Sequence, residues 1–236
     1  MLLSFLQVET EAVEAAVVPQ TEELSFSLID MAVKGGWLML VLLLLSFVAI
    51  YIFSERLVSI RKASKIDKNF IKDVNDYLLG GKIRSAKMLC HRSDSSIARM
   101  IEKGVDRIDK PLDDIRTAVE NVANLEVTKL EKGLPILATI AGGAPMIGFL
   151  GTVMGMVQAF FNMAQAGNNI DITLLSGGIY TAMVTTVGGL IVGILAYFGY
   201  NYLTAEVSGV VSKMEASTIS FLDAVQAKKD AKPGEE

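Results

Sequence analysis

Three long stretches of this chain carry no charge, and they constrain its fold more than any other feature. The first, residues 36–53, reads GWLMLVLLLLSFVAIYIF. As a helix its 18 residues span roughly 27 Å at about 1.5 Å per residue, close to the thickness of a bilayer core. The second covers 134–162 and the third 172–204, and neither contains Asp, Glu, Lys, Arg or His. Only helices and closed barrels satisfy backbone polar groups in lipid, and these runs lack the alternation of barrel strands. The expected fold class is an all-α membrane protein with three transmembrane helices. An average composition of 51% hydrophobic and 20% charged residues conceals this partition, because the charges crowd the segments between the runs.

Basic residues set the expected orientation. Residues 1–35 hold one, Lys34, against six acids. Immediately after the first span come Arg56, Arg61, Lys62, Lys65, Lys68 and Lys72. The connector MAQAGNNIDITLL has none, and the C-terminal tail carries Lys213, Lys228, Lys229 and Lys232. The N-terminus is therefore expected outside and the C-terminus inside. The organisation read from this is an outer tail (1–35) ending in a short amphipathic surface helix, a first span (36–53) and a cytoplasmic helical domain (54–133). A second span (134–162), a short outer connector (163–171), a third span (172–204) and a cytoplasmic helix with a solvated end (205–236) follow. The apolar opening MLLSFLQVETEAVEAA lacks the basic start of a secretory signal.

Within the cytoplasmic segment, DKNFIKDVNDYLL, KIRSAKMLCHR and SSIARMIEKGVDRI read as short amphipathic helices, with a Gly80-Gly81 break after the first. From Pro111, a plausible helix start, Leu112, Ile115, Val119, Val122, Leu130 and Leu134 recur at helical spacing. The pattern predicts one long helix over 112–162. Val207, Val210, Val211, Met214, Phe221, Leu222 and Val225 likewise carry the third span's pattern beyond the membrane.

Several function classes find no support here. Cys90 and His91 are the only Cys and His, so one copy assembles no disulfide, no zinc site and no Cys/His nucleophile pair. GGKIRSAK lacks the spacing of a phosphate loop. No enzyme, metal or organic cofactor is expected. The basic residues are explained by a solvated face, so no nucleic-acid partner is expected either.

Glycine is the next informative feature. Helix association in lipid depends on small residues that let backbones approach. At about 100° per residue, Ala144, Gly148, Gly151, Gly155 and Ala159 share one stripe of the second span. Ala182, Gly189, Gly193 and Ala196 form its counterpart in the third. Gly151/Gly155 and Gly189/Gly193 are GxxxG pairs, whereas the first span has no such stripe. Spans two and three are thus expected to form the inner, tightly packed part of an assembly, their glycines closing either within one subunit or between subunits. Span one is expected to be peripheral, its Leu40 and Leu42 to Leu45 suited to lipid. Thr152 edges the first stripe, and Thr181, Thr185 and Thr186 cluster beside Tyr180 in the third span. A single membrane threonine usually bonds its own carbonyl at i−4. Several at matching depth in two glycine-lined helices point to a narrow polar lining.

At this point the chain resembles the ExbB/TolQ/MotA proton-channel subunits, most closely the ExbB/TolQ branch. LATIAGGAPMIGFLGTVMGMVQAF (137–160), with Ala144-Pro145 ahead of its GTV core, looks like that branch's second span. GIYTAMVTTVGGL (178–190), continuing to Tyr200-Asn201, looks like its third, and KGGW and ERL flank the first span as in that branch. The resemblance implies a multi-pass subunit of the bacterial inner membrane, a homopentamer whose second and third helices enclose a pore. ExbD/TolR-type single-span partners would occupy that pore, protons would be the coupling ion, and a TonB- or TolA-type protein would receive the motion. By position the family's pore threonines fall on Thr152 and Thr186.

Two departures stand out. Thr181 stands where relatives carry a glutamate, and Leu195 where they carry a proline. Intramembrane carboxylates mark ion paths, and this chain's spans have none. The protonatable acid is therefore expected from the partner, with Thr152, Thr181 and Thr186 hydrogen-bonding it. Other readings fit less well. Three spans are few for an alternating-access transporter, a flagellar-type MotA subunit has four, and a passive scaffold would tolerate loss of the threonines.

Overall fold

The computed structural model describes residues 36–67, 69–166 and 172–230. The amphipathic helix expected within 1–35, the 167–171 part of the connector and the tail beyond Asp230 lie outside the described residues. Among the described residues seven α-helices follow in order: α1 (Gly36–Ser64), α2 (Phe70–Leu79), α3 (Ile83–Arg92), α4 (Ser96–Val105), α5 (Leu112–Glu131), α6 (Leu134–Ala166) and α7 (Ile172–Asp230). There is no strand among the described residues. Three helical stretches among the described residues are long and apolar enough to cross a membrane. They lie in α1, in α6 and in the first half of α7, so the chain is an all-α multi-pass membrane protein.

The 59 residues of α7 make it the spine, roughly 88 Å long. Its first half is apolar on every face. Its second half buries one stripe, Leu203, Val207, Val210, Met214, Phe221 and Val225, against the short helices. Those short helices owe their packing to apolar residues at i, i+4 spacing. Phe70, Val74 and Leu78 form the buried face of α2, Ala86 and Cys90 that of α3, and Ile97, Met100, Ile101 and Val105 that of α4. Ser95 caps α4 by accepting from the Ala98 N–H at 3.1 Å. Gly81, at φ +72°, makes the tight turn between α2 and α3. Asn75 ties α2 to the spine, donating to the Ser220 carbonyl at 3.2 Å and to its hydroxyl at 3.1 Å.

The long helix predicted over 112–162 is in fact two. Gly133, at φ +89°, breaks it between α5 and α6. The cause is Pro135, whose ring would collide with the Glu131 carbonyl and cannot donate to it if the helix ran on. The apolar pattern crosses this point because both helices bury the same side, so periodicity alone conceals the joint.

Span one docks on α7 through Met39 and Leu42, which close over Gly188. Leu42 is therefore buried at 1% exposure, while Leu40, Leu43 and Leu44 face outward. Of the leucines assigned to lipid, Leu42 is buried and Leu45 packs partly against the core; Gly188 leaves a notch in α7 that Met39 and Leu42 fill together.

Candidate functional site: the seam between the second and third spans

The most intimate contact in the molecule joins α6 to α7 within one chain. Where the two helices approach, neither can carry a side chain. A Cβ on Gly148 would stand 2.9 Å from the Thr185 carbonyl and 3.1 Å from the Gly189 Cα. One on Gly189 would stand 2.6 Å from the Ala144 carbonyl and 2.8 Å from the Gly148 Cα. These neighbours are backbone and cannot move aside. One turn away Gly151 faces the Thr185 side chain, and a Cβ on Gly155 would stand 2.8 Å from the Ala182 Cβ. The stripes Gly148/Gly151/Gly155 and Gly189/Gly193 thus meet each other inside a single subunit.

Pro145 sits inside α6 and removes the N–H that would bond the Ala141 carbonyl. Gly193 covers both. A Cβ there would lie 2.6 Å from the proline Cδ and 3.0 Å from the Ala141 oxygen. A glycine at this position lets α7 close over the ring and the freed carbonyl together.

The hydroxyls occupy the same seam. Thr152 Oγ1 lies 3.1 Å from the Ala182 carbonyl on the facing helix and 3.4 Å from its own Gly148 carbonyl. Thr186 Oγ1 lies 3.1 Å from that same Gly148 carbonyl. The two hydroxyls also bond one another. Each has one proton, so when one donates to its neighbour the neighbour is free to donate to a carbonyl, and the roles can reverse. Both side chains are half-buried. Thr185, only 2% exposed, donates within its own helix to Ala182 at 2.8 Å. Thr181 is half-buried, and its side chain makes no hydrogen bond among the described residues. Of the four threonines picked out in the sequence, the fold joins Thr152 and Thr186. It places Thr185 against Gly151 and leaves Thr181 one turn away.

No group of three or more His, Cys, Asp or Glu residues that could hold a metal occurs among the described residues. The ionic chemistry lies below the spans, around a residue that sequence periodicity overlooked. Glu126 is 3% exposed. Its carboxylate accepts from Ser96 Oγ at 2.9 Å, Arg99 Nε at 3.0 Å and Lys129 Nζ at 2.8 Å. Burial pushes its pKa up, but the bonds from Arg99, Lys129 and Ser96 outweigh burial and hold it at about 2. The signal was present in the sequence. Val119, Val122, Glu126 and Leu130 share one face of α5, so the carboxylate stands in an apolar stripe.

These features define a class: an all-helical, multi-pass membrane protein whose second and third spans close on glycine and carry hydroxyls but no carboxylic acid. The chain belongs to the MotA/TolQ/ExbB proton channel family, whose family model matches residues 92–216. Among curated relatives, an ExbB-like biopolymer transport protein of Synechocystis sp. is 28% identical over 180 residues, covering 75% of this chain and 71% of the relative. Biopolymer transport protein ExbB of Xanthomonas campestris pv. campestris is 34% identical over 98 residues, 42% of this chain and 38% of that protein. The Tol-Pal system protein TolQ of Haemophilus influenzae is 34% identical over 93 residues, 39% of this chain and 40% of that protein.

Proposed function

We propose that this chain is the channel-forming stator subunit of an ExbB–ExbD-type motor in the bacterial inner membrane. The motor converts the proton gradient into mechanical work on a periplasm-spanning TonB-type protein and so energises outer-membrane transport. The observation that carries this reading is a pair of interlocked hydroxyls, Thr152 and Thr186, in charge-free spans of a proton channel family member. Family membership implies an ExbD/TolR-type partner in general. In this reading several copies, five by analogy with the family, surround the single-span helices of that partner. The N-terminus faces the periplasm and α2 to α5 the cytoplasm, as the basic residues after span one favour.

The partner supplies the acid. A carboxylic acid brought against the seam needs hydrogen-bonding groups to be tolerated in either protonation state. A Thr152 or Thr186 hydroxyl can turn from its carbonyl to meet it, and Thr181 offers a third hydroxyl on the same helix. The subunit works without organic cofactor or metal and catalyses no covalent step. A TolQ-type role in envelope maintenance is the second reading, favoured by the likeness to the Haemophilus TolQ.

The test is to express the chain with an ExbD/TolR-type single-span protein and measure gradient-driven activity in intact cells. Thr152→Val/Thr186→Val is expected to abolish that activity while the complex still assembles. Full activity of the double variant would overturn the assignment of the seam. Growth on a TonB-dependent nutrient, set against resistance to detergent, separates the ExbB-type from the TolQ-type role.

A further inference from the structure

The joint between α5 and α6 is held from three sides. Arg56, on α1, donates from Nη1 to the Lys129 carbonyl at 3.2 Å, satisfying one of the carbonyls left open at the end of α5. Its stem crosses Gly133, with Cδ 3.7 Å and Nε 3.8 Å from where a Cβ would be, and Glu55 pairs with its guanidinium. Lys129 turns its ammonium back onto Glu126. Glu126 is bonded in turn by Ser96 and Arg99 of α4. Arg99 also holds Asp94 at 3.1 Å, and Asp94 pairs with Lys62 of α1 at 2.6 Å. The circuit therefore runs from α1 to α5, to α4, and back to α1 two turns further on.

Energy alone gives no reason for Glu126 to be where it is. Burying a carboxylate is costly, and a well-packed apolar residue would usually stabilise as much or more. What the carboxylate adds is direction. It accepts from Ser96, Arg99 and Lys129 at once, which an apolar side chain in the same space would not require. It does so about two turns before the Gly133 break that separates α5 from the second span.

We propose that this circuit, centred on Glu126 and closed by Arg56, is a brace that fixes the angle of the Gly133 joint. Displacement of α4 and α5 is then passed to the second span instead of being absorbed at the glycine. Glu126 acts through Arg99 and Lys129 and is a positioning residue. The inference concerns the geometry of the subunit and does not depend on what ion or partner the spans serve.

The experiment uses the full chain in lipid nanodiscs, diluted with unlabelled subunits. Spin labels are placed by Glu120→Cys on α5 and Met146→Cys on α6, in a Cys90→Ala background. One narrow distance distribution is expected for this parent. Glu126→Gln and Arg56→Met, each cutting a different strut, are both expected to broaden it and add a second population, at temperatures well below unfolding. A narrow distribution unchanged in both variants would overturn the proposal. So would a lowered unfolding temperature in both with unchanged distances, because the circuit would then only stabilise. Should one variant fail to fold, the other decides by the same criterion. Gradient-driven activity is measured separately, so a failed brace and a failed channel assignment give different results.

Discussion

Thr152 and Thr186 trade acceptors across the seam: each hydroxyl lies 3.1 Å from the carbonyl four residues before the other. A membrane threonine that bonds its own i−4 carbonyl leaves the neighbouring helix untouched. This exchange instead ties α6 to α7 at the depth where glycines let the backbones meet. The tie and the close approach depend on each other, since a hydroxyl on so short a stem cannot span a wider gap.

The two threonines should therefore be energetically coupled. Interhelical hydrogen bonds of this kind are worth about 0.6 kcal/mol and rarely more than roughly 1.7 kcal/mol. A double-mutant cycle with Thr152→Val and Thr186→Val, read by equilibrium unfolding in micelles, should show a coupling in that range. Serine at both positions should restore it. Strict additivity would mean that the hydroxyls act independently.

Glycines in α7 should differ sharply in what they tolerate. Gly189→Ala drives a methyl into the Ala144 carbonyl and the Gly148 Cα and should separate the spans, lowering the unfolding temperature. A Cβ on Gly209 meets nothing within 4 Å. Gly209→Ala should gain up to about 1 kcal/mol from helix propensity alone. Thermal unfolding of the two variants side by side checks both signs.

Glu126 should make the protein acid-sensitive in a defined window. Its folded pKa, about 2, lies below the ordinary glutamate value of 4.5. Its contribution to stability is therefore complete above about pH 4.5 and is lost as the pH falls toward 2. Glu126→Gln should flatten this part of the stability–pH curve and lower stability at neutral pH. Urea unfolding between pH 2.5 and 7 measures both.

Cys90 should be inert. Its thiol is 1% exposed, and burial, together with the nearby Glu102 and Asp106 carboxylates, pushes its pKa up to about 12. Only the thiolate reacts readily. Alkylation with a maleimide at pH 8 should therefore be slow in the folded protein and fast in denaturant. Comparable rates would place the thiol at the surface.

The chain by itself determined a good deal. Charge-free runs of span length specify three membrane helices, because lipid admits neither unpaired charge nor unpaired backbone. Glycines at helical spacing mark the faces on which spans two and three close, because backbone approach needs missing side chains. Only the tertiary structure decided what those faces meet. It set Gly148 against Gly189, Gly193 over Pro145 and Thr152 beside Thr186, all within one subunit. Spacing along a helix fixes a side chain's face and leaves its partner on another helix open. The joint at Gly133 and the buried Glu126 were masked for a related reason. Periodicity records which side of a helix is apolar, and it stays the same through a bend or around one carboxylate whose cost is offset by donors arriving from elsewhere in the fold.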